Sequence, residues 1–213
     1  MSECSSSSAS GLRVLGIDPA AAGPTGYAVI ERIGHTCRVL HYGALKIPAK
    51  RQKMSPGAAL QDVHSCLCDL IRRFEPQVLA VESVFTALNM RTALRLAEVR
   101  GVVLLAAEEH GLHIYSYSPR EVKASVAGYG QADKRQIQLM VRAQLGLKEL
   151  PEPPDAADAL AVALCHLQLA QLEGRFGVPH SALASNGRNR TRTNPPALAR
   201  APVSRNLRIQ SDR

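Results

Sequence analysis

The chain has 213 residues, 46% of them hydrophobic, and a formal net charge of +8. That length suits one ordinary domain with extensions, and the apolar content is enough for a real core. No run of about 18 apolar residues occurs, which argues against a membrane-spanning helix, and the Met1-Ser2-Glu3-Cys4 start lacks the basic and apolar regions of a secretory signal.

A cytoplasmic location is therefore expected, with residues 1–11 as a disordered N-terminal extension. The first predicted element is a strand, Leu12 to Ile17, ending in Asp18-Pro19 before a breaker-rich Ala-Ala-Ala-Gly-Pro segment. A second strand covers Gly26 to Glu31 and a third runs from about Cys37 to Ile47, so three short-linked strands form an antiparallel meander. At Ser55-Pro56 the period changes. Leu60, Val63, Leu67, Leu70, Ile71 and Phe74 recur every three or four residues, as one buried helical face requires. Ser55 and Pro56 suit its N-cap and first helical position.

Val78-Leu79-Ala80-Val81 is a continuous apolar run, the pattern of a strand buried on both faces, and it ends in Glu82. A long helix from about Asn89 to His110 follows, then a strand from His113 to Tyr117. Helices near Pro119–Val126, Ala132–Leu145 and Asp155–Leu172 complete the domain, placed at residues 12–173. Three meander strands followed by alternating helices and strands make an α/β fold with a mixed central sheet flanked by helices. That order matches the ribonuclease H-like fold, which hosts nucleases, transposases and ATPases, so the fold alone does not decide function.

Residues 174–213 are rich in Asn, Pro, Ser and Gly. From Gln171 onward there are eight arginines against two acids, Glu173 and Asp212. A segment without a repeating apolar face cannot offset its ordering entropy, so a disordered basic tail is expected, suited to phosphate attraction or simply to solubility. The body between Gly11 and Ala170 carries only +3. The five cysteines, Cys4, Cys37, Cys66, Cys68 and Cys165, have spacings that fit neither a disulfide framework nor a zinc motif. Cys66 and Cys68 point to different faces of their helix, and Cys165 belongs in the core.

Asp155 and Asp158 stand three positions apart at the head of an otherwise apolar helix, on one face and about 5–6 Å apart at Cβ. Acidic residues favour a helix's first turn, and Asp155 could be simply the N-cap, the reading that the pair taken alone favours. Asp18 and Glu82, each closing an apolar strand, change the balance. Four converging carboxylates repel and raise one another's pKa values, an arrangement that makes sense around cations. Oxygen ligands suit Mg²⁺ or Mn²⁺, and two such ions about 3.5–4 Å apart support in-line phosphodiester hydrolysis. His166 shares the stripe of the aspartates but lies roughly 12 Å along the axis from Asp158 at the helical rise, so it reads as a packing histidine.

At these residues the chain resembles the RuvC family of bacterial Holliday-junction resolvases. The resemblance rests on Gly16-Ile17-Asp18-Pro19, Thr25-Gly26-Tyr27, Val81-Glu82-Ser83-Val84-Phe85, Arg100-Gly101-Val102, Val122-Lys123, Gly128-Tyr129-Gly130-Gln131-Ala132-Asp133-Lys134 and Asp155-Ala156-Ala157-Asp158-Ala159-Leu160-Ala161, in order from residue 12 to about 170. It implies that Asp18, Glu82, Asp155 and Asp158 are the catalytic, metal-binding carboxylates, with Mg²⁺ (two ions per site, Mn²⁺ substituting) as cofactor. It further implies a homodimer that nicks two symmetry-related strands of a four-way DNA junction, leaving ligatable ends, in concert with the RuvA and RuvB branch-migration proteins. Phe85, Lys123 and Lys134 match the family's DNA-contacting positions. Arg91 and Arg95, one turn apart, form either a phosphate-binding stripe or a solvated face.

Two departures bear on loop geometry. Ala20 stands where the family usually has glycine, with one extra residue before Thr25, so a turn rebuilt around Gly23 and Pro24 is expected. Leu88 replaces a commonly basic residue. The rival reading, an actin-like or sugar-kinase-like ATPase, requires a second phosphate loop and a duplicated domain, and neither is visible. A non-cleaving junction-binding module would leave the carboxylates without purpose.

Overall fold

A computed structural model of the chain describes residues 11–21, 23–45, 55–83 and 89–176. Its five strands are β1 (Leu12–Asp18), β2 (Thr25–Ile33), β3 (Thr36–Leu45), β4 (Val78–Glu82) and β5 (His113–Tyr117). Among the described residues, the helices that alternate with or follow them are α1 (Pro56–Phe74), α2 (Met90–Glu109), α3 (Pro119–Ala127), α4 (Lys134–Leu145) and α5 (Pro154–Phe176).

The sheet order is β3-β2-β1-β4-β5. β1, β2 and β3 form the expected antiparallel meander, whereas β4 runs parallel to β1 and β5 parallel to β4. The sheet is therefore mixed, with β1 at its centre. Side chains of successive strand residues point to opposite faces, and this splits the core in two. Val14, Ala28 and Ile30 pack with α3, α4 and α5, while Leu15, Ile17 and Val29 pack with α1 and α2. Full burial of such aliphatic side chains contributes about 1.5–3 kcal/mol each.

The element ends have local causes. Ser55 caps α1 through a 3.0 Å bond accepted from the Ala58 N–H. Ser118 and Asp133 form reciprocal capping boxes with Glu121 and Gln136 at the heads of α3 and α4. The Asp133 cap explains why α4 begins at Lys134, two residues later than expected from Ala132. At α5 the Ala156 N–H donates to the Pro153 carbonyl (2.9 Å), so the helix opens at Pro154 and Asp155 lies inside its first turn. Asp155 is thus not the N-cap, in line with the reading that sets it among the carboxylates. α5 also continues through Phe176, beyond residue 174 where the sequence reading begins the tail; the later tail and residues 1–10 lie outside the described residues.

The turn after Asp18 is closed by the Ala20 N–H donating to Thr25 Oγ1 (3.4 Å). Ala20 takes no positive φ, so alanine is unstrained there. Among the described residues, no helix is long and apolar enough to cross a membrane.

Candidate active site

Parallel pairing of β1 with β4 matches Ile17 to Val81, which sets Asp18 and Glu82 side by side where the two central strands end. α5 crosses over this edge. Its close approach depends on two strand glycines: a Cβ on Gly16 would stand 2.4 Å from the Ala159 carbonyl oxygen, and one on Gly26 would stand 2.0 Å from that of Asp155. Both glycines stand within the motifs quoted above, where the signal for this role is their place inside a strand, a sign of close backbone approach.

Asp18, Glu82 and Asp158 line one cleft of about 270 Å³ together with Lys123, Lys134, Pro119, Val122, Ile137 and Ala161. Asp155 is not among these lining residues, yet its charge contributes to raising the Asp18 pKa. Lys134, set at the first position of α4 by the Asp133 cap, donates to Asp158 Oδ2 at 2.8 Å. Phe85 and Leu88 lie outside the described residues. Arg91 and Arg95 are exposed on α2, as either reading of that stripe requires.

The electrostatics reveal the strain of this arrangement. Burial, then the charges of Glu82, Asp158 and Asp155, push the Asp18 pKa up to about 8. Burial and the Asp158 charge push Glu82 up to about 7, opposed by the Lys123 charge, a hydrogen bond with Asp18 and the Lys134 charge. Mutual repulsion, the cause expected from sequence, is present but ranks behind desolvation for both groups. Two ammonium groups do not compensate four carboxylates. An all-oxygen donor set with this unmet demand for positive charge fits a hard divalent cation.

A scan against family models matches residues 14–166 to "RuvC: Crossover junction endodeoxyribonuclease RuvC". The chain belongs to the RuvC family. Among curated RuvC proteins, that of Halothermothrix orenii is 42% identical over 164 residues, covering 77% of this chain and 97% of its own. That of Chloroflexus aggregans is 47% identical over 167 residues, covering 78% and 99%. The solved structure of T. thermophilus RuvC in complex with a Holliday junction substrate superposes with a TM-score of 0.70 at 36% identity, covering 76% of this chain and 96% of that one. The RuvC match runs from within β1 to the middle of α5, so all four carboxylates fall inside it. The ribonuclease H-like α/β architecture is the one these RuvC neighbours share.

The remaining expectations concern packing. His166 is 3% exposed, and its Nδ1 lies 2.6 Å from the Tyr117 hydroxyl. It is a core histidine, as read from its distance along the helix. Tyr117 pairs with Glu82 across β4 and β5, so this buried contact ties α5 to the strand pair that carries the glutamate. Cys165 is fully buried, and Cys66 and Cys68 face solvent and core respectively.

Proposed function

We propose that this chain resolves four-way DNA junctions by paired, symmetric phosphodiester hydrolysis that leaves ligatable nicks. It is a nuclease of the crossover junction endodeoxyribonuclease family, acting on Holliday junctions. The observation that carries the finer reading is the meeting of Asp18, Glu82 and Asp158 in one cleft with Lys123 and Lys134.

Asp18, Glu82, Asp155 and Asp158 would hold Mg²⁺, two ions per site, with Mn²⁺ able to substitute. Such ions, when bound, activate a water and stabilise the leaving oxygen of an in-line displacement. The chain's own residues do the rest. Strand ends and helix fix the carboxylates before substrate arrives, which lowers the reorganisation needed at the moment of reaction. Lys123 and Lys134 bring positive charge to the place where a scissile phosphate adds negative charge. Phe85, in the segment after Glu82, would stack on an unpaired base, worth roughly 1–3 kcal/mol.

A homodimer suits a two-fold junction, and α2 offers a surface for it. Met90, Leu94, Ala97, Gly101 and Leu105 recur every three or four residues and are all exposed, while Val103, Ala106 and Ala107 face the core. Met90, Leu94 and Leu105 are 74%, 58% and 52% exposed. An apolar stripe of this kind supports burial against a second copy. RuvA and RuvB as functional partners, and action in the cytoplasm, belong to the same reading.

The test is a synthetic four-way junction with Mg²⁺. Wild-type chain is expected to give symmetric nicks that a ligase seals, and Asp155→Asn to keep junction binding while losing cutting. ATP hydrolysis without nicking, or loss of binding and cutting together in Asp155→Asn, overturns the proposal.

A further inference from the structure

On the sheet face away from the acidic cleft, α1 packs against α2 and brings three side chains of different chemistry to one point. His64 and Cys68 are one helical turn apart on α1 and so share a stripe. Glu109 is the last residue of α2. His64 Nε2 lies 2.8 Å from Glu109 Oε2 and 3.7 Å from Cys68 Sγ. One donor atom from each of the three falls within 4.8 Å of the others.

We propose that His64, Cys68 and Glu109 form a second cation site, selective for zinc or a similar thiophilic divalent ion and distinct from the catalytic carboxylates. Tetrahedral zinc, with bonds of about 2.0–2.1 Å to nitrogen and about 2.3 Å to sulfur, holds those two atoms about 3.6 Å apart. The nitrogen–sulfur separation already matches. Glu109 must withdraw from the imidazole by roughly half an ångström to reach a zinc-bound position, and its side chain is 47% exposed. Sγ lies nearly equidistant from both ring nitrogens, at 3.8 Å from Nδ1, so the ring must also turn to aim one lone pair at the shared point. His64, 31% exposed, is not locked against doing so.

An ion pair between His64 and Glu109 accounts for two of the three groups, while Cys68 faces the core with its sulfur turned toward the imidazole. Cys68 is only 7% exposed, and burial followed by the Glu109 charge raises its thiol pKa. On coordination the thiol proton passes to solvent and the thiolate takes its place at the metal. Thiolate and imidazole favour zinc, whereas Asp18, Glu82, Asp155 and Asp158 offer only oxygen, so the two sites differ in the metal they select. Three protein ligands leave the fourth position to water or an incoming group. The ion would join α1 to the C-terminal end of α2, the helix whose outer face carries the exposed apolar stripe.

Cobalt(II) added to the chelator-stripped full-length chain is the test probe. The expected result is a thiolate-to-cobalt charge-transfer band that saturates at one equivalent per chain and is displaced by zinc. The band is lost in Cys68→Ser and in His64→Ala, and is retained in Cys66→Ser and in Asp155→Asn. Zinc raises the Tm of the wild type and of Asp155→Asn by more than that of Cys68→Ser, which keeps only the carboxylate site and whose fold is checked by circular dichroism without metal. If Cys68→Ser does not fold, His64→Gln replaces it. Absence of the band in the wild type, its persistence in the folded Cys68 or His64 variants, or its loss in Asp155→Asn overturns the assignment.

Discussion

Gly26 of β2 is pressed against the first turn of α5 so closely that a Cβ on it would stand 2.0 Å from the Asp155 carbonyl oxygen and 3.3 Å from the Asp155 Cβ. The obstacle is backbone, so rotating a side chain does not relieve it. Gly26→Ala must therefore move the head of α5 away from the strand ends. Overpacking of this kind costs about 1–3 kcal/mol, and a 1 Å displacement of catalytic groups costs on the order of 10²-fold in rate. The expected variant melts at a lower temperature and, where still folded, cuts a four-way junction far more slowly. Single-turnover cleavage at the wild-type rate would show that the position of Asp155 is not set by this contact.

The protonation of Asp18 and Glu82 gives the chelated protein a defined pH response. Their folded pKa values, about 8 and about 7, lie above the ordinary 3.8 and 4.5. The folded chain thus keeps protons that the unfolded chain has released. Their favourable contribution is complete below about pH 4 and is lost as pH rises through 7 and 8. Melting in the presence of chelator is expected to show Tm falling over that range from these groups, and Asp18→Asn is expected to flatten the fall. A Tm slope identical in the wild type and Asp18→Asn contradicts this account.

Lys134 counters the acidic cluster from outside the strands. Its ammonium bonds Asp158, and its charge lowers the pKa of both Asp18 and Glu82. Lys134→Met removes that charge while keeping an unbranched apolar chain. The expected loss of cleavage is on the order of 10²-fold, the scale of removing one preorganised transition-state donor. In chelator, the fall of Tm with pH is also expected to extend to higher pH, because Asp18 and Glu82 lose a charge that lowers their pKa. That second readout separates the catalytic role from a surface ion pair, because exposed pairs contribute only about 0–1 kcal/mol and would leave that fall in place.

The strand ends were legible in the sequence because β1 and β4 are central strands. Continuous apolar runs such as Val78–Val81 occur where both sheet faces are covered, and the first carboxylate after such a run marks where the strand leaves the core. The convergence of Asp155 and Asp158 on Asp18 was readable only from four motifs together. The contacts that produce it, Gly16 against Ala159 and Gly26 against Asp155, join residues more than a hundred positions apart. The start of α4 lies two residues past the one expected because Ala132, fully buried, continues the apolar pattern while the Asp133 cap decides the boundary. On α2 the apolar residues face both core and solvent, so no single stripe stands out in the sequence. The approach of Glu109 to His64 likewise depends on how α1 and α2 pack.

The outward face of α2 yields a prediction about assembly. Leu94 and Leu105 are both more than half exposed and lie on one line with Ala97 and Gly101, whose small side chains permit a second helix to approach closely. Placing a carboxylate at either leucine leaves the core of the subunit untouched, because the buried face of α2 is carried by Val103, Ala106 and Ala107. It also sets a charge, with its desolvation cost, into any interface built on the stripe. Leu94→Asp and Leu105→Asp are each expected to shift the chain from dimer to monomer in sedimentation or light scattering, with little change in monomer secondary structure. Paired cutting of a four-way junction then gives way to slow, uncoordinated single nicks, since each subunit supplies one complete set of carboxylates but no longer meets the second strand at the same time. If both variants match the wild type in size and in paired cutting, the stripe on α2 is not where the proposed dimer forms.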